Sequence, residues 1–500
     1  MVHTPRCFLV SAIMALVALQ TPQVSATSID YDPITTSGTD DKISKKFPGY
    51  GAEIADEDCA YTVQTDPTLP DIMAISLTPV TYTDLLANTT TPPTEPVFTK
   101  VGIATLSQDM PLRKLAVSVV SNEEQRRLET TSKKELKLLE DYFKVKMETT
   151  LAKLPTEGLY HTAPWPAPNW PRYLDSINAV WSEGQPSPAA KYARAFGLNE
   201  TEFMDWVSWD SGIDSASENG TICMSDADCG SVEKAKCGIR ANQTSGYCIQ
   251  TWEGICHAWA PASILEKEPQ CAVTYNGVTF QPMDLKALIS DVYNGAEVPL
   301  VFTGTRFNRG DNSTDKYGRH VDDRYRDLNP GFFHIAAANL LGKLNTTFII
   351  DIDAGREVWN QPVRGFKVHE QTAMSLMEAA KTFYGLKKYP WNSKAKSIVY
   401  TKTYLSWIDL TYEDGPLVST GEVDKHTTGA YYYYLLEMDA AGRIIGGEWL
   451  YDSNSNHPDF FWIATGKPAP DTVTYIGLSY ANVTMLLDEA VACTETKAMK

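Results

Sequence analysis

The sequence has fewer basic than acidic residues, with 44 lysines and arginines against 62 aspartates and glutamates and a net charge of −18. Because nucleic acids are polyanions, we do not expect this chain to bind them. After its N-terminal leader the sequence also lacks any run of about 18 apolar residues, the length that a transmembrane helix needs. Internal repeats are absent too. Its 500 residues and twelve tryptophans are nevertheless sufficient for two or more folding units with a sizeable core.

The N-terminus has the layout of a secretory signal peptide. A short basic start precedes an apolar stretch over residues 7–19 that is too short to span a bilayer, and residues 24–26 form a small-residue cleavage site. We therefore predict residues 1–26 as a signal peptide and an extracellular or cell-wall location. Secretion would allow N-glycosylation at seven Asn-x-Ser/Thr sites: Asn88, Asn199, Asn219, Asn242, Asn312, Asn345 and Asn482.

Residues 27–127 are rich in threonine, proline and aspartate, and we predict a weakly structured pro-region there. The pair Arg126-Arg127 at its end would suit proteolytic processing. A solvated helix face is the alternative, because apolar residues recur at helical spacing shortly afterwards. Residues 128–500 would then form the catalytic region. Within it, the alternating runs of residues 386–500 predict antiparallel β-structure.

Four cysteines cluster within the loop-rich residues 216–250: Cys223, Cys229, Cys237 and Cys248. In a secreted chain this spacing favours a compact knob held by two disulfides, in one of three possible pairings. A four-cysteine zinc site is the alternative, but the closely spaced cysteine pairs of structural zinc sites are missing.

The remaining cysteines bear on whether Cys256 is a free thiol. The chain has nine cysteines, and removal of the leader with Cys7 leaves eight. If a pro-region carrying Cys59 is also removed, Cys271 and Cys493 can pair with each other. Cys256 would then remain unpaired.

The stretch around Cys256 has the layout that a cysteine nucleophile requires. Gln250 lies six residues before it, Gly254 lies two before it, and an apolar run follows at once. A thiol at the start of a helix feels the positive end of the helix dipole, which lowers its pKa. Gly254 would let backbone and substrate approach closely, and the amide of Gln250 would donate to an oxyanion. A buried structural cysteine is the alternative, and Pro261 should kink the helix or end it early.

His334 is the best candidate for a general base among eight histidines. It lies in an apolar run after the turn-forming residues 329–331, which favours a buried strand. A β-branched strand carrying Asp351 and Asp353 follows, and in an adjacent strand Asp351 would orient the imidazole. Asp353 points to the same face, and Asn360 is a third possibility. A histidine that simply belongs to the core is the alternative.

Candidate metal ligands are aspartates at two places in the chain. Asp322 and Asp327 belong to an acidic stretch before His334, and calcium prefers several oxygen ligands on a flexible loop. Arginines are interleaved there, so a salt-bridged surface loop is the alternative. Asp452 and Asp459 are further candidates, although the loop that starts at Asp452 lacks the glycine and the final glutamate of an EF-hand.

Residues 358–370, Val-Trp-Asn-Gln-Pro-Val-Arg-Gly-Phe-Lys-Val-His-Glu, resemble the thirteen-residue elicitor peptide of a secreted oomycete (Phytophthora-type) transglutaminase elicitor family. They differ from that peptide at His369, where a tyrosine is expected. Residues 256–263 and most of the chain from about residue 164 onward extend the resemblance. The elicitor segment includes five residues to which we return below: Trp359, Asn360, Gln361, Pro362 and Arg364.

The resemblance implies a calcium-dependent protein-glutamine γ-glutamyltransferase whose surface peptide is sensed by a plant immune receptor. Its substrates would be a glutamine donor and a lysine acceptor on proteins. Cys256 carries over as the nucleophile, His334 as the base and Asp351 as the third member of the site.

We therefore expect an α+β fold with a papain-like or transglutaminase-like core, in which a nucleophile helix packs on an antiparallel sheet. A small disulfide-rich insertion and a C-terminal β-rich part would complete it. A papain-like cysteine endopeptidase would use the same groups, with water resolving the acyl-enzyme. A non-enzymatic wall or recognition protein is the third hypothesis.

Overall fold

The structure, a computed structural model, describes residues 35–37, 128–218, 220–304, 313–315, 328–353, 357–454 and 456–497. The predicted signal peptide and nearly all of the predicted pro-region lie outside these residues, so both remain predictions. The described chain mixes helices and strands, as the sequence predicts for the fold class.

The strands are β1 (Thr35–Ser37), β2 (Glu157–Leu159), β3 (Ile222–Cys223), β4 (Ala235–Gly238), β5 (Gly246–Gln250), β6 (Val273–Tyr275), β7 (Val278–Phe280), β8 (Leu300–Gly304), β9 (Ile349–Asp351), β10 (Asn360–Met374), β11 (Ser397–Ile408), β12 (Thr427–Met438), β13 (Ile444–Trp449) and β14 (Phe460–Ala464). The α-helices are α1 (Leu128–Phe143), α2 (Pro188–Phe196), α3 (Glu200–Asp210), α4 (Cys256–Leu265), α5 (Pro282–Gly295), α6 (Pro330–Ala337), α7 (Leu376–Tyr384) and α8 (Tyr480–Lys497).

Side-chain caps define where several helices begin. Ser187, Asn199, Asn329 and Ser375 each accept a hydrogen bond from a backbone N–H in the first turn of the helix that follows. These caps satisfy N–H groups that have no partner within the helix.

One large sheet organises the molecule. Its strand order is β13-β12-β11-β10-β9-β14-β8, and neighbours along this path pair antiparallel. Strands β1 and β2 also pair with β10, β1 in parallel and β2 antiparallel. Strand β10 is therefore covered by other strands along much of both edges.

The sheet separates two hydrophobic cores. Because successive side chains of a strand point to opposite faces, Phe460 and Trp462 of β14 lie in one core and Phe461 lies in the other. Helices α4, α5 and α8 contribute side chains to the first core, and helix α6 contributes to the second. We call these the nucleophile face and the α6 face of the sheet.

The cysteine-rich knob is a separate three-stranded sheet in the order β3-β5-β4. Disulfides join Cys223 to Cys237 and Cys229 to Cys248. All four sulfurs are therefore in disulfides, and the alternative four-cysteine zinc site is not formed. Cys271 is disulfide-bonded as well, whereas the side chain of its predicted partner Cys493 lies outside the described residues.

The C-terminal part is less uniformly β-structured than its sequence predicts. Strands β11 to β14 are present, but the part ends in α8, a helix that we did not predict. The buried residues Val483, Leu486, Leu487 and Ala490 give α8 an apolar stripe at helical spacing, and this stripe belongs to the core on the nucleophile face. Among the described residues, no helix combines the length and hydropathy that a membrane crossing requires.

Candidate active site

Helix α4 begins at Cys256, and its start is held by a close backbone contact. The Ile255 N–H donates to the Asn169 carbonyl at 2.7 Å. A Cβ atom on Gly254 would lie 2.5 Å from that same carbonyl oxygen, which leaves no room for a side chain. Gly254 therefore lets two backbone segments approach, as its position suggests. The helix continues to Leu265 despite Pro261, so the prediction of an early end is wrong.

Cys256 is a buried thiol and is free of disulfides, with 4% of its surface exposed. Burial raises its pKa, and this outweighs the hydrogen bonds from Asn360 and from the His257 backbone that lower it. The expectation that the helix N-terminus leaves a lowered thiol pKa is therefore wrong for the resting protein. A base must remove the proton before the sulfur can act as a nucleophile.

Asn360, the first residue of β10, contacts the thiol directly. Its Nδ2 lies 3.6 Å from the Cys256 sulfur, and the sulfur in turn lies 3.5 Å from the Val358 carbonyl oxygen. The Oδ1 atom of Asn360 accepts a 2.8 Å hydrogen bond from the indole nitrogen of Trp462. Trp462 thus orients the amide so that its nitrogen faces the sulfur. No local sequence pattern marks Trp462 as part of this site.

Asp351 is the carboxylate whose charge acts on the thiol, and it raises the thiol pKa. It ends β9 opposite Asn360 in the strand register. One of its oxygens accepts hydrogen bonds from the backbone N–H groups of Trp359, at 2.9 Å, and of Asp353, at 3.3 Å. Asp351 therefore also binds the backbone on both sides of the β9–β10 connection, at Asp353 and at Trp359. The structure brings Cys256, Asp351 and Asn360 together.

His334 lies in helix α6, so the predicted strand is wrong. Pro330 occupies the first turn and Asn329 caps it, which is a helix-start signal that we had taken for a turn. The ring belongs to the α6 face, where its Nδ1 is 2.7 Å from the Tyr434 hydroxyl. Burial lowers its pKa to about 4. Among the described residues, the hydrogen-bond partners of the Cys256 thiol do not include His334.

No other described histidine forms a hydrogen bond with the thiol. The ring of His257, the next residue along α4, points instead to Asn294, with 3.1 Å between its Nε2 and the amide oxygen. Burial lowers the pKa of His257 to about 4 as well. Neither ring takes the place predicted for a base between Cys256 and Asp351.

Gln250 ends β5, and its side-chain nitrogen donates to the Glu233 carbonyl at 3.3 Å. This bond ties the side chain to the knob, and its predicted role as an oxyanion donor stays a prediction. Three donors lie at the sulfur itself: the backbone N–H groups of His257 and Asn360 and the side-chain amide of Asn360.

The elicitor segment is a buried strand and not a surface loop. Asn360, Gln361 and Pro362 begin β10 and pair with β9. Arg364 is half-buried and contacts Thr427 and Asp424. The expectation of a surface peptide is therefore wrong, because most residues of β10 are buried within the sheet.

Trp359 connects the start of this segment to the knob. Its indole nitrogen donates to Glu357 at 2.9 Å, and the other oxygen of Glu357 pairs with Lys234 of the knob at 2.6 Å. The knob therefore braces the chain immediately before Asn360.

The predicted metal ligands do not form a cluster in the described chain. Asp452 is exposed in a short helical turn, and Asp459 is buried just before β14. Asp322 and Asp327 lie outside the described residues. The described part of the chain holds one group of three or more histidine, cysteine or acidic side chains with ligand spacing, and it consists of the disulfide-bonded Cys223, Cys229 and Cys248.

The predicted glycosylation sites differ in accessibility. Asn199, Asn242 and Asn345 are exposed, whereas Asn482 is half-buried and its side-chain nitrogen donates to the Tyr192 hydroxyl at 3.3 Å. The remaining sites lie outside the described residues: Asn88, Asn219 and Asn312.

Comparisons with known proteins agree on one family. The chain matches a family model described as "Transglutaminase elicitor" over residues 135–493. It is also similar to the crystal structure of the GP42 transglutaminase from Phytophthora sojae, with 58% sequence identity and a TM-score of 0.66. That alignment covers 72% of this chain and 98% of the GP42 chain. No curated protein matches this chain.

Proposed function

Because the chain belongs to the transglutaminase elicitor family, we propose that it is a secreted, calcium-dependent protein-glutamine γ-glutamyltransferase. It would join a protein glutamine to a lysine amine through a thioester on Cys256. The observation that carries this proposal is the placement of a buried free thiol at the start of a helix, with a strand-borne amide at the sulfur. A papain-like core of the predicted kind belongs to the same proposal.

In the first half-reaction, the Cys256 sulfur attacks the γ-carboxamide carbon of the glutamine. The C–S bond of a thioester forms, the C–N bond breaks, and the nitrogen leaves as ammonia. Since burial keeps the resting thiol protonated, its proton has to be transferred during this step. Among the described residues, Asp351 is the titratable side chain that acts on the thiol, so this proposal gives Asp351 the acid–base role.

In the second half-reaction, a lysine amine attacks the thioester carbonyl. The isopeptide C–N bond forms, the C–S bond breaks, and the amine proton returns to the thiol through the same carboxyl group. Water would divert the thioester to hydrolysis. The burial of the sulfur limits access of bulk water, which favours transfer over hydrolysis.

Both half-reactions pass through an oxyanion that needs hydrogen-bond donors. The first two N–H groups of α4, those of Cys256 and His257, have no carbonyl partner within the helix. The positive end of the helix dipole favours a negative charge there. The amide of Asn360 adds a donor from the other side, held in orientation by Trp462. Preorganised donors of this kind contribute strongly to acyl transfer.

Amine incorporation tests the proposal. The secreted protein would be incubated with a glutamine-donor protein and a labelled primary amine, in calcium or in chelator. Cys256→Ala should abolish incorporation, whereas the control Ser263→Ala, another small buried change in α4, should retain it. If the wild type cleaves the donor protein and incorporates no amine, the protein is an endopeptidase. If it does neither, the enzyme proposal is wrong.

Membership of the family also supports an elicitor role, and the segment responsible would lie mostly in strand β10. We propose that a plant immune receptor reads residues 358–370 after the chain has been unfolded or cleaved, because in the folded protein most of these side chains are buried. Intact, correctly folded protein should then elicit less response per mole than the free peptide or the digested protein. Equal potency of all three would contradict this order of events.

A further inference from the structure

Two carboxyl groups lie together beside helix α5, that of the buried Asp291 and that of the half-buried Asp210. Asn294 of α5 donates from the same side-chain nitrogen to both of them, to Asp210 at 2.9 Å and to Asp291 at 3.5 Å. Asp210 is the last residue of α3, and Asp291 lies one turn before Asn294 in α5. Helices α3 and α5 thus each place one acidic side chain beside Asn294.

This arrangement lacks the positive charge that would balance it. Within the part of the chain that the structure describes, neither carboxyl group forms an ion pair with a lysine or an arginine. Only 1% of Asp291 is exposed, and its Oδ2 atom has no hydrogen-bond partner there. Burial and the neighbouring acid raise the pKa of Asp210, and burial raises that of Asp291 to about 7. An unpaired buried carboxylate is costly, so the pair requires a proton or a cation.

The oxygen atoms available suit a hard divalent cation. Two carboxyl groups and one side-chain amide offer up to five oxygens, and calcium prefers carboxylate and amide oxygens, with water completing its coordination. Asp210 and Asn294 are only partly buried, which leaves an entry path for an ion and its waters. The two acids come from α3 and α5, so an ion between them would join these helices.

The pair is also linked to the nucleophile helix. The amide oxygen of Asn294 lies 3.1 Å from the ring Nε2 of His257, the residue that follows Cys256. The backbone N–H of His257 in turn makes a hydrogen bond to the Cys256 sulfur. A change in charge at Asp210 and Asp291 is therefore linked to the start of α4 through two side-chain-bearing residues, Asn294 and His257.

We propose that Asp210, Asp291 and Asn294 form a divalent-cation site that adjoins the nucleophile helix. Binding would require the Asn294 amide to turn over, because its NH2 group now faces the acids. Its oxygen would then face the cation, and its NH2 group would donate to the ring nitrogen of a neutral His257. Cation binding would thereby determine which ring nitrogen of His257 carries the proton. The cation site itself does not depend on the proposed function; only its effect on catalysis rests on that function.

Calcium binding to the full chain tests this site without measuring catalysis. Isothermal titration with calcium should reveal a site in the wild type that Asp291→Asn loses or binds more than about tenfold more weakly. Asp409→Asn is the matched control, since Asp409 is another carboxyl with a pKa raised by burial, which accepts from the Leu410 N–H. Asp409→Asn should bind calcium as the wild type does.

Each outcome decides the proposal. The same number of calcium sites and the same affinity in Asp291→Asn as in the wild type would overturn it, and so would a wild type that binds no calcium. Thermal unfolding in chelator shows whether the variant is folded, and Asp210→Asn replaces it if it is not. Amine incorporation in the same samples separates the two proposals, because calcium bound at this site without transferase activity would overturn the proposed function alone.

Discussion

The side-chain nitrogen of Asn360 lies 3.6 Å from the sulfur of Cys256, a residue that precedes it by 104 positions. This contact joins the first residue of a helix to the first residue of a strand. The indole nitrogen of Trp462, on β14 beyond β9, donates to the other end of this amide at 2.8 Å and so fixes its orientation.

Asn360→Ala should lower kcat for amine incorporation by roughly 100-fold, because it removes a donor at the position where the oxyanion forms. Trp462→Phe should have a smaller effect of the same kind, since the amide would remain but lose its orientation. Steady-state kinetics would measure both, with kcat falling more than KM changes. A normal kcat in Asn360→Ala would exclude the amide from catalysis.

Asp351→Asn should reduce kcat more than Asp353→Asn, because Asp351 is the group whose charge acts on the thiol. A proton-transfer role predicts a loss of about 100-fold or more and a changed pH profile. The pH dependence of kcat/KM for both variants checks this. The opposite ranking would transfer the role to Asp353, and an unchanged pH profile in Asp351→Asn would leave Asp351 a structural role only.

His334→Gln should destabilise the protein and leave kcat close to the wild-type value, because the ring lies across the sheet from the thiol. The folded state lowers the His334 pKa to about 4 from an ordinary value of 6.5. The unfolded state therefore binds a proton on His334 more tightly than the folded state does. Protonation consequently favours unfolding, and the free energy of unfolding decreases as pH falls from about 6.5 toward 4. That loss is about 3 kcal/mol in wild type.

Chemical denaturation at pH 7 and at pH 4.5 measures the difference for His334→Gln. The variant should lose less stability between the two pH values than the wild type does, because glutamine does not titrate. If it remains as stable as the wild type at both pH values and its transferase activity disappears, His334 is the base that the sequence predicts.

Trp359→Ala should lower transferase activity, because the indole holds Glu357 and Glu357 is tied to the knob through Lys234. Trp359→Phe keeps an aromatic ring but loses the N–H donor, so the two variants separate packing from hydrogen bonding. Undiminished turnover in Trp359→Ala would break the proposed link between the elicitor segment and the active site. The corresponding synthetic peptide should still be tested on plant cells with and without its tryptophan.

Local sequence patterns were sufficient for the local structure of the nucleophile segment. The glycine before Cys256 is required by a close backbone approach, and the apolar run after it forms a helix. The segment around His334 was misjudged because a short apolar run fits a strand or a buried helix equally well. The asparagine and proline at its start, Asn329 and Pro330, were the signal that distinguishes them.

Long-range contacts account for what the sequence did not predict. The hydrogen bond from Trp462 to Asn360 joins β14 to β10, and no local pattern in either segment indicates that these strands are close. The burial of residues 365–368, which follow the half-buried Arg364, depends on what packs on the two faces of β10, and their own sequence does not indicate it. The order of cysteine, strand and carboxylate predicts Asp351 beside the His334 ring, whereas the structure places it opposite Asn360, where its charge acts on the thiol.

Intact-mass spectrometry of the acyl-enzyme tests the central claim most directly. The protein is mixed with a glutamine-donor peptide in the absence of amine and quenched in acid, which preserves a thioester. We predict an adduct with the mass of the peptide less ammonia, located at Cys256 and missing in Cys256→Ala. An adduct on another residue, or amine incorporation by Cys256→Ala, would contradict the account.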